Sequence, residues 1–233
     1  MLVIVLLVSF FLLLFIGVPI SFALSISSFT AVMTTGAIPV INLVQKTFRA
    51  IDSFTLLAIP FFVFAGNVMA RGGVSKRLTD MAATLVGRMP GGLAHVATLS
   101  STFFGAISGS GPATVAALGA VLIPAMIEQG GFSAPFSAAL MATASSIAIV
   151  IPPSIAFVVY ASITGVSIAD MFTAGIVPGI LMGVALVIVV MIEARKNNIQ
   201  SSQKRASGKE RWEAFKDAFW GLLMPVIILG GIY

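Results

Sequence analysis

The sequence contains no cysteine, which excludes disulfide bonds and thiolate metal sites. Charge is scarce as well: only 9% of the 233 residues are charged, whereas soluble domains carry roughly 25%. Five long stretches have no charged residue, and the two longest exceed the about 20 apolar residues that one spanning helix needs. We therefore predict an all-α integral membrane protein whose longest apolar stretches contain breaks. The uncharged stretches are 1–45, 53–70, 89–127, 129–169 and 171–192.

Catalytic and metal-binding residues are also rare. The single histidine, His95, has no second histidine or nearby carboxylate with which to hold a transition metal. The sequence has no GxxxxGK[ST] stretch for ATP hydrolysis, and no Ser/His/Asp or HExxH pattern for proteolysis. Asp52, Glu128 and Asp170 stand singly at the edges of predicted spans, and we interpret them as solvated end charges or partner contacts and not as catalytic groups. We therefore expect neither an enzyme nor a bound cofactor, and no transition-metal site.

The net charge of +5 is concentrated in two clusters. Of the 13 basic residues, seven fall within 195–216 and four within 71–88. Basic clusters beside apolar spans are typical of cytoplasmic loops, so we expect membrane lipid as a neighbour and no nucleic-acid partner. In this topology Lys46 and Arg49 fall on the opposite side of the membrane, against the rule.

Segment 71–92 has the pattern of an amphipathic helix. Apolar residues recur there at helical spacing, and polar and basic residues fill the other face. This pattern favours a helix at the cytoplasmic membrane interface, and an ordinary solvated loop helix is the alternative. The apolar residues are Val74, Leu78, Met81, Leu85 and Val86.

Prolines and glycines divide the remaining sequence into helices. "GVP" at 17–19 interrupts the first uncharged stretch, because proline cannot continue the helical hydrogen-bond ladder. A short polar segment with Lys46, Arg49 and Asp52 then precedes a span in which Pro60 is expected to form a kink. The predicted helices cover about 2–16, 19–35, 54–70, 93–107, 113–128, 134–149, 154–164 and 172–192.

Two predicted helix pairs flank breaks at membrane depth. "SGSGP" joins the halves 93–107 and 113–128, each of which is too short to cross the hydrocarbon comfortably, so we predict a re-entrant hairpin. "VIPPS" at 150–154 contains two consecutive prolines, which remove two backbone donors and disfavour helix at the preceding residue. We predict a broken membrane helix at this second position.

Irregular backbone at membrane depth is tolerated where protein or a water-filled cavity surrounds it. Helix N-termini there offer N–H groups to anions, and unwound carbonyls offer oxygens to sodium, as in many secondary transporters. Ser108, Ser110 and Thr114 add hydroxyls to the first break. Neither break contains a carboxylate. Neutral oxygens can bind sodium, whereas a proton relay uses titratable side chains, so this composition favours sodium. The alternative is close helix packing, because "GAISG" matches the small-xxx-small pattern.

Three hydroxyl residues precede the second break, and they could line the same cavity. They are Thr143, Ser145 and Ser146. The alternative is that each hydroxyl bonds to the carbonyl four residues earlier in its own helix.

Four motifs carry a resemblance to a known family: "LLLFIGVPISFAL", "LLAIPFFVFAGNVMARGG", "FFGAISGSGPATVAALGAVLIPAM" and "ASSIAIVIPPSIAFVVYASITGVSIADMFTAGIVPGILM". Together they resemble the large membrane subunit of TRAP (tripartite ATP-independent periplasmic) transporters, over essentially the whole chain. The resemblance implies a sodium-driven secondary importer of organic acids, such as C4-dicarboxylates or sialic acid, in the bacterial inner membrane. A channel or another ion-coupled carboxylate transporter of related fold is the alternative.

The resemblance also implies an architecture of two inverted repeats that work as an elevator, each with a re-entrant hairpin and a broken helix. Family members are roughly twice as long, so we expect a fragment or a split gene, and no transport by this chain alone. The implied division is scaffold-type transmembrane helices in 1–70, an amphipathic arm in 71–92, a transport-type unit in 93–165 (hairpin 93–130, broken helix 133–165), a transmembrane helix in 172–194, a basic cytoplasmic loop in 195–216 and the start of the second repeat in 217–233.

By similarity, sodium would bind between the hairpin tip (Ser108–Gly111) and the helix break (Ile149–Pro153), with the substrate carboxylate close by. A small four-helix membrane subunit and a periplasmic substrate-binding protein would complete the system. The implied sodium-binding residues are Ser108, Gly109, Ser110, Gly111, Ile149, Val150, Ile151, Pro152 and Pro153. The implied substrate-binding residues are Ser108, Ser110, Thr114, Ser145, Ser146 and Ser154.

Overall fold

The computed structural model describes residues 1–36, 38–52, 54–201 and 206–232, and throughout these ranges the regular secondary structure is helical. The helices are α1 (Leu2–Phe15), α2 (Ile20–Thr35), α3 (Val40–Ile51), α4 (Phe54–Arg71), α5 (Val74–Val86), α6 (Gly92–Ser108), α7 (Gly111–Thr114), a π-helical turn (Val115–Gly119), α8 (Ala120–Glu128), α9 (Ala134–Val150), α10 (Ile155–Thr164), α11 (Ile168–Lys196) and α12 (Gly208–Ile232). The all-helical prediction is confirmed.

Within the described residues, three continuous helices are long and apolar enough to cross a membrane: Gly111–Glu128, Ile168–Lys196 and Gly208–Ile232. The first of them comprises α7, the π turn and α8, and its 18 residues match the lower end of a spanning helix. By length and composition this half could therefore cross a membrane, at the short limit, and the preceding half, α6, has 17 residues; the re-entrant hairpin stays a prediction.

Two further helix pairs pass the same test together but are bent between their members. α9 and α10 meet at 45°, and the α4 segment Leu56–Arg71 meets α5 at 67°. The first bend lies at Pro152 and Pro153, which cannot donate to the carbonyls four residues earlier. The predicted broken helix is thus confirmed, with bounds within one residue of those expected.

Residues 1–54 and 55–233 form two compact units, which are described separately. In the first unit, α1 packs along α2, and Gly17 makes the turn between them with a φ of +87°. In the second unit, α6 is the central helix and packs on α9, α5 and α11. Its core includes the fully buried Phe104, Ile107 and Met141.

The amphipathic segment forms α5, whose apolar face packs within the second unit. Leu78 and Met81 are buried against neighbouring helices, and Gly221 of α12 approaches so closely that a Cβ there would lie 2.8 Å from Val74. Leu85 remains 46% exposed. Contacts with other helices of the protein therefore bury much of the apolar face from which an interfacial helix was predicted.

Two helices lie where the sequence analysis expected polar segments. The residues after Pro39 form α3, because their apolar positions recur with helical period despite Lys46 and Arg49. α12 begins at Gly208, inside the predicted basic loop 195–216. A capping box explains this start: the Ser207 N–H donates to Glu210 Oε2 (2.6 Å), and the Glu210 N–H donates to Ser207 Oγ (3.2 Å).

Parts of the predicted divisions lie outside the described residues. These parts are Ala37 and Ser53 in the segment 1–70, residues 202–205 in the basic loop, and Tyr233 in the last segment.

Candidate ion and substrate site

The first break replaces helix with two residues of distinct conformation. α6 ends at Ser108, Gly109 follows in the left-handed region (φ +60°), and Ser110 is extended. Ser110 then begins α7 as its N-cap, since its Oγ accepts from the Ala113 N–H at 3.4 Å. Pro112 occupies the first turn, where its missing N–H is not needed. The Ser108 carbonyl consequently loses its helical donor.

The hydroxyls of the first break bond to one another. Thr114 Oγ1 donates to the Ser110 carbonyl (2.9 Å) and lies 3.3 Å from Ser108 Oγ. Ser108 and Thr114 are buried, whereas Ser110 is only partly buried. These groups leave oxygen lone pairs available without any formal charge, which is the donor set expected for sodium in a secondary transporter.

The second break also ends in a serine N-cap. Ser154 is extended and fully buried, and its Oγ accepts from the Phe157 N–H at 3.4 Å. The same hydroxyl donates to the Ile149 carbonyl. That carbonyl would otherwise lack a donor, because Pro153 has no N–H. Pro152 likewise leaves the Ala148 carbonyl without its helical partner.

The structure brings the two breaks together through the backbone. The Ile155 N–H donates to the Gly109 carbonyl at 3.2 Å. A Cβ at position 109 would lie 2.7 Å from the Pro153 carbonyl oxygen, and one at position 111 would lie 3.1 Å from the Ser145 carbonyl oxygen. Glycine at both positions thus permits contact between the tip and the break that side chains would prevent.

Helix packing below the breaks is equally close. A Cβ at Gly105 of α6 would lie 2.6 Å from Ala148 Cβ of α9. Gly175 and Gly179 of α11 pack against Val150 and Ile151, so a third helix supports the second break. Close helix packing, the alternative interpretation of "GAISG", is therefore correct for Gly105. This packing does not exclude a binding site at the neighbouring tip.

The hydroxyls that precede the second break bond within their own helix. Ser145 Oγ and Ser146 Oγ both donate to the Ala142 carbonyl, at 2.7 and 3.3 Å, and Thr143 Oγ1 donates to Ala139 at 2.8 Å. This is the back-bonded alternative, with Ser145 reaching three residues back. Ser145 touches the tip through its backbone carbonyl, and Ser146 is only partly buried.

A cleft of about 270 Å³ opens beside the tip, between α4 on one side and α6, α7 and the π-helical turn on the other. Four polar side chains line it, and the other lining residues are apolar or small. Two of the four, Ser108 and Ser110, were predicted; Asn67 and Arg71 of α4 were not. The signal was present in "GNVMAR", because positions 67 and 71 lie one turn apart on one helix face. The cleft-lining polar residues are Asn67, Arg71, Ser108 and Ser110.

In the described part of the chain, no group of three or more histidine, aspartate or glutamate side chains comes together.

Helices that span or bend, two breaks that meet, and a neutral oxygen-lined tip define an integral membrane permease. The chain belongs to the DctM family, described as "Tripartite ATP-independent periplasmic transporter, DctM component", which matches residues 7–233. Its members transport solutes and are not enzymes, in agreement with the expectation from the sequence.

Curated relatives support this assignment. The chain is 43% identical to the isethionate TRAP transporter permease protein DctMQ of Oleidesulfovibrio alaskensis, over 96% of this chain and 35% of the relative. It is 38% identical to the C4-dicarboxylate TRAP transporter large permease protein DctM of Rhodobacter capsulatus (93% and 52%). It is 40% identical to the 2,3-diketo-L-gulonate TRAP transporter large permease protein YiaN of Escherichia coli (93% and 50%). The chain thus spans about half the length, or less, of these relatives.

Proposed function

We propose that this chain forms part of the large permease subunit of a sodium-coupled TRAP transporter in the bacterial inner membrane, and that the complete system imports a small organic acid. A periplasmic binding protein would deliver the acid, and a small membrane subunit would complete the complex. Isethionate, C4-dicarboxylates and 2,3-diketo-L-gulonate appear in the names of relatives, and all three are organic anions.

The observation that carries the proposal is the hydrogen bond between the breaks, from the Ile155 N–H to the Gly109 carbonyl. It places two segments of irregular backbone side by side in an otherwise helical membrane protein. Proline has removed the helical donors of the Ser108 and Ala148 carbonyls nearby. Carbonyl oxygens without helical partners, together with the hydroxyls of Ser108 and Thr114, are suitable ligands for sodium.

Sodium binding would provide the coupling because the first break participates in both sites. A cation beside Ser108 and Ser110 lowers the electrostatic cost of bringing an anion to the same tip. The acid would then bind well only when sodium is present. In the proposed elevator mechanism, the hairpin and the broken helix would carry both solutes across the membrane together.

The proposal is tested with the complete complex and its binding protein in proteoliposomes. Labelled succinate and isethionate are supplied outside with an inward gradient of sodium, or of potassium as the control. We expect uptake only with the sodium gradient and the binding protein, and accumulation against the acid's own gradient. Equal uptake with potassium, or conduction without accumulation as in a channel, would contradict the proposal.

A further inference from the structure

Among the described residues that line the cleft between α4 and the tip, Arg71 is the one cationic side chain. The residues predicted for sodium and substrate binding carry no charge. An organic anion that leaves water needs a compensating charge or several hydrogen bonds, because burying an unpaired carboxylate is costly. Arg71 supplies a permanent positive charge on the wall opposite Ser108 and Ser110.

The position of α4 is set by a close contact with the tip. Gly66 is buried, and a Cβ there would lie 3.6 Å from both Cα and Cβ of Ser108. Asn67 follows directly, and Arg71 lies one turn further along the same face. The contact at Gly66 therefore brings both polar residues to the cleft that Ser108 borders.

Both α4 side chains retain unused hydrogen-bonding capacity. Asn67 Nδ2 donates one bond to the Val63 carbonyl (2.9 Å), which leaves its second N–H and its carbonyl oxygen. Among the described residues the one ion pair joins Lys209 and Glu213 at 4.0 Å, so Arg71 has no carboxylate partner in that part of the chain. A free guanidinium presents a planar fork that matches a carboxylate with two parallel hydrogen bonds.

We propose that Arg71 and Asn67 form the anion-recognition half of the substrate site: the Arg71 guanidinium binds the acid group of the cargo, Asn67 donates to the same group, and Ser108 and Ser110 face it across the cleft. This inference rests on the proposed function, since the ligand is its cargo. The class of ligand is a small organic anion of about the size of succinate.

A different role for Arg71 follows from its place in the last turn of α4. A cation there stabilises the helix C-terminus, and basic residues near membrane surfaces interact with lipid. Arg77 of α5 provides the matched control. It is exposed, belongs to the same basic cluster and does not line the cleft. A general effect of charge on the membrane or on the fold would appear in both variants.

The test uses the absence of cysteine from the chain. Ala113→Cys and Ala116→Cys place a thiol on the cleft wall at exposed positions, and Ala120→Cys places one outside the cleft as a control. In the complete complex, labelling of this chain by N-ethylmaleimide is followed with increasing succinate or isethionate, and with uncharged succinamide. We expect at least one acid to slow labelling at a cleft position, and succinamide to have no effect.

The same assay is repeated with R71Q, R71K and R77Q. We expect R71Q to raise the half-protecting acid concentration by at least tenfold, which corresponds to about 1.4 kcal/mol. R71K should raise the half-protecting concentration less, because lysine retains the positive charge but lacks the planar guanidinium. R77Q should change it less than twofold. Protection at neither cleft position by either acid, or equal protection in R71Q and the parent, would overturn the inference.

The assay separates this inference from the proposed function. Sodium-driven uptake without protection in the cleft would preserve the function and place the anion elsewhere. Protection that depends on Arg71, in a complex that takes up acid equally well with potassium, would preserve the anion site and refute sodium coupling.

Discussion

Both helix breaks end in an extended serine N-cap, but different residues produce the two breaks. Ser110 and Ser154 are both extended N-caps, and each accepts from the N–H three residues on at 3.4 Å. The first break reaches this geometry through glycine, which adopts a left-handed conformation at position 109. The second reaches it through Pro152 and Pro153, which remove donors.

The two serines nevertheless differ in what remains available to a ligand. Ser154 is fully buried, and its hydroxyl donates to the Ile149 carbonyl within its own break. Ser110 is only partly buried and borders the cleft. We infer that the Ser154 hydroxyl holds the proline break in shape and leaves other backbone carbonyls of that break to sodium, whereas Ser110 presents its hydroxyl to the substrate. The predictions below separate these two roles.

The largest effect is expected where the breaks touch. Gly109→Ala adds a left-handed alanine, which costs about 1–2 kcal/mol, and pushes a Cβ to 2.7 Å from the Pro153 carbonyl oxygen. Overpacking adds about 1–3 kcal/mol. We expect a loss of several kcal/mol in unfolding free energy, seen as a lower melting temperature, and loss of acid uptake.

Gly165→Ala is the matched control for that prediction. Gly165 also ends a helix with a positive φ (+74°), but a Cβ there meets nothing within 4 Å. This variant should lose only the cost of the left-handed conformation and retain uptake. If both variants behave alike, the contact between the breaks does not matter.

The next largest effect is expected at the helix crossing beneath the breaks. Gly105→Ala would place a Cβ 2.6 Å from Ala148 Cβ and separate α6 from α9, at a cost of about 1–3 kcal/mol. Gly183→Ala is the control, because its nearest neighbours lie 3.9–4.0 Å away. The melting temperature of the complex should fall for the Gly105→Ala variant alone. An equally small fall in melting temperature for both variants would show that the helix crossing can move apart to accommodate the added methyl group.

Ser154→Ala and Ser110→Ala should separate the structural role of Ser154 from the substrate contact of Ser110. Ser154→Ala removes an N-cap and leaves the Ile149 carbonyl without its donor, so we expect a loss of about 2 kcal/mol and little change in the KM for the acid. Ser110→Ala should cost about 1 kcal/mol as a lost cap but raise KM severalfold. Melting temperatures and uptake kinetics measure both. The reverse pattern would contradict the assignment of roles.

The smallest effect is expected at Ser146. Its hydroxyl donates to the Ala142 carbonyl, so it cannot donate the same proton to a carboxylate. Ser146→Ala should change the KM for the acid less than twofold in uptake assays. A rise as large as that of Ser110→Ala would restore Ser146 to the substrate site.

Strong local signals explain what the sequence predicted well. The left-handed Gly36 ends α2 and the pair Pro152 and Pro153 ends α9, so the bounds of these two helices are predicted within one residue, although single prolines such as Pro178 lie inside a helix. α3 was missed because its charged residues outweighed its apolar period. The start of α12 is also not predicted, because a short capping box between Ser207 and Glu210 starts the helix inside a strongly basic segment.

The candidate site was predicted only in part, for a different physical reason. Hydroxyls and glycines at a break identify the tip, but they do not say which helix packs beside it. Gly66 brings Asn67 and Arg71 of α4 to the cleft through a contact with Ser108, some forty residues away in sequence. The difference between Ser110 and Ser154 also depends on burial, which their shared N-cap pattern does not reveal.

The most direct test of the central claim is the structure of the complete complex determined by electron cryo-microscopy in sodium and, separately, in potassium. The account predicts density for an ion in the sodium structure alone, coordinated by oxygens of the tip Ser108–Gly111 and of the break Ile149–Pro153. A well-resolved tip and break without ion density in sodium, in a preparation that performs sodium-driven uptake, would contradict it.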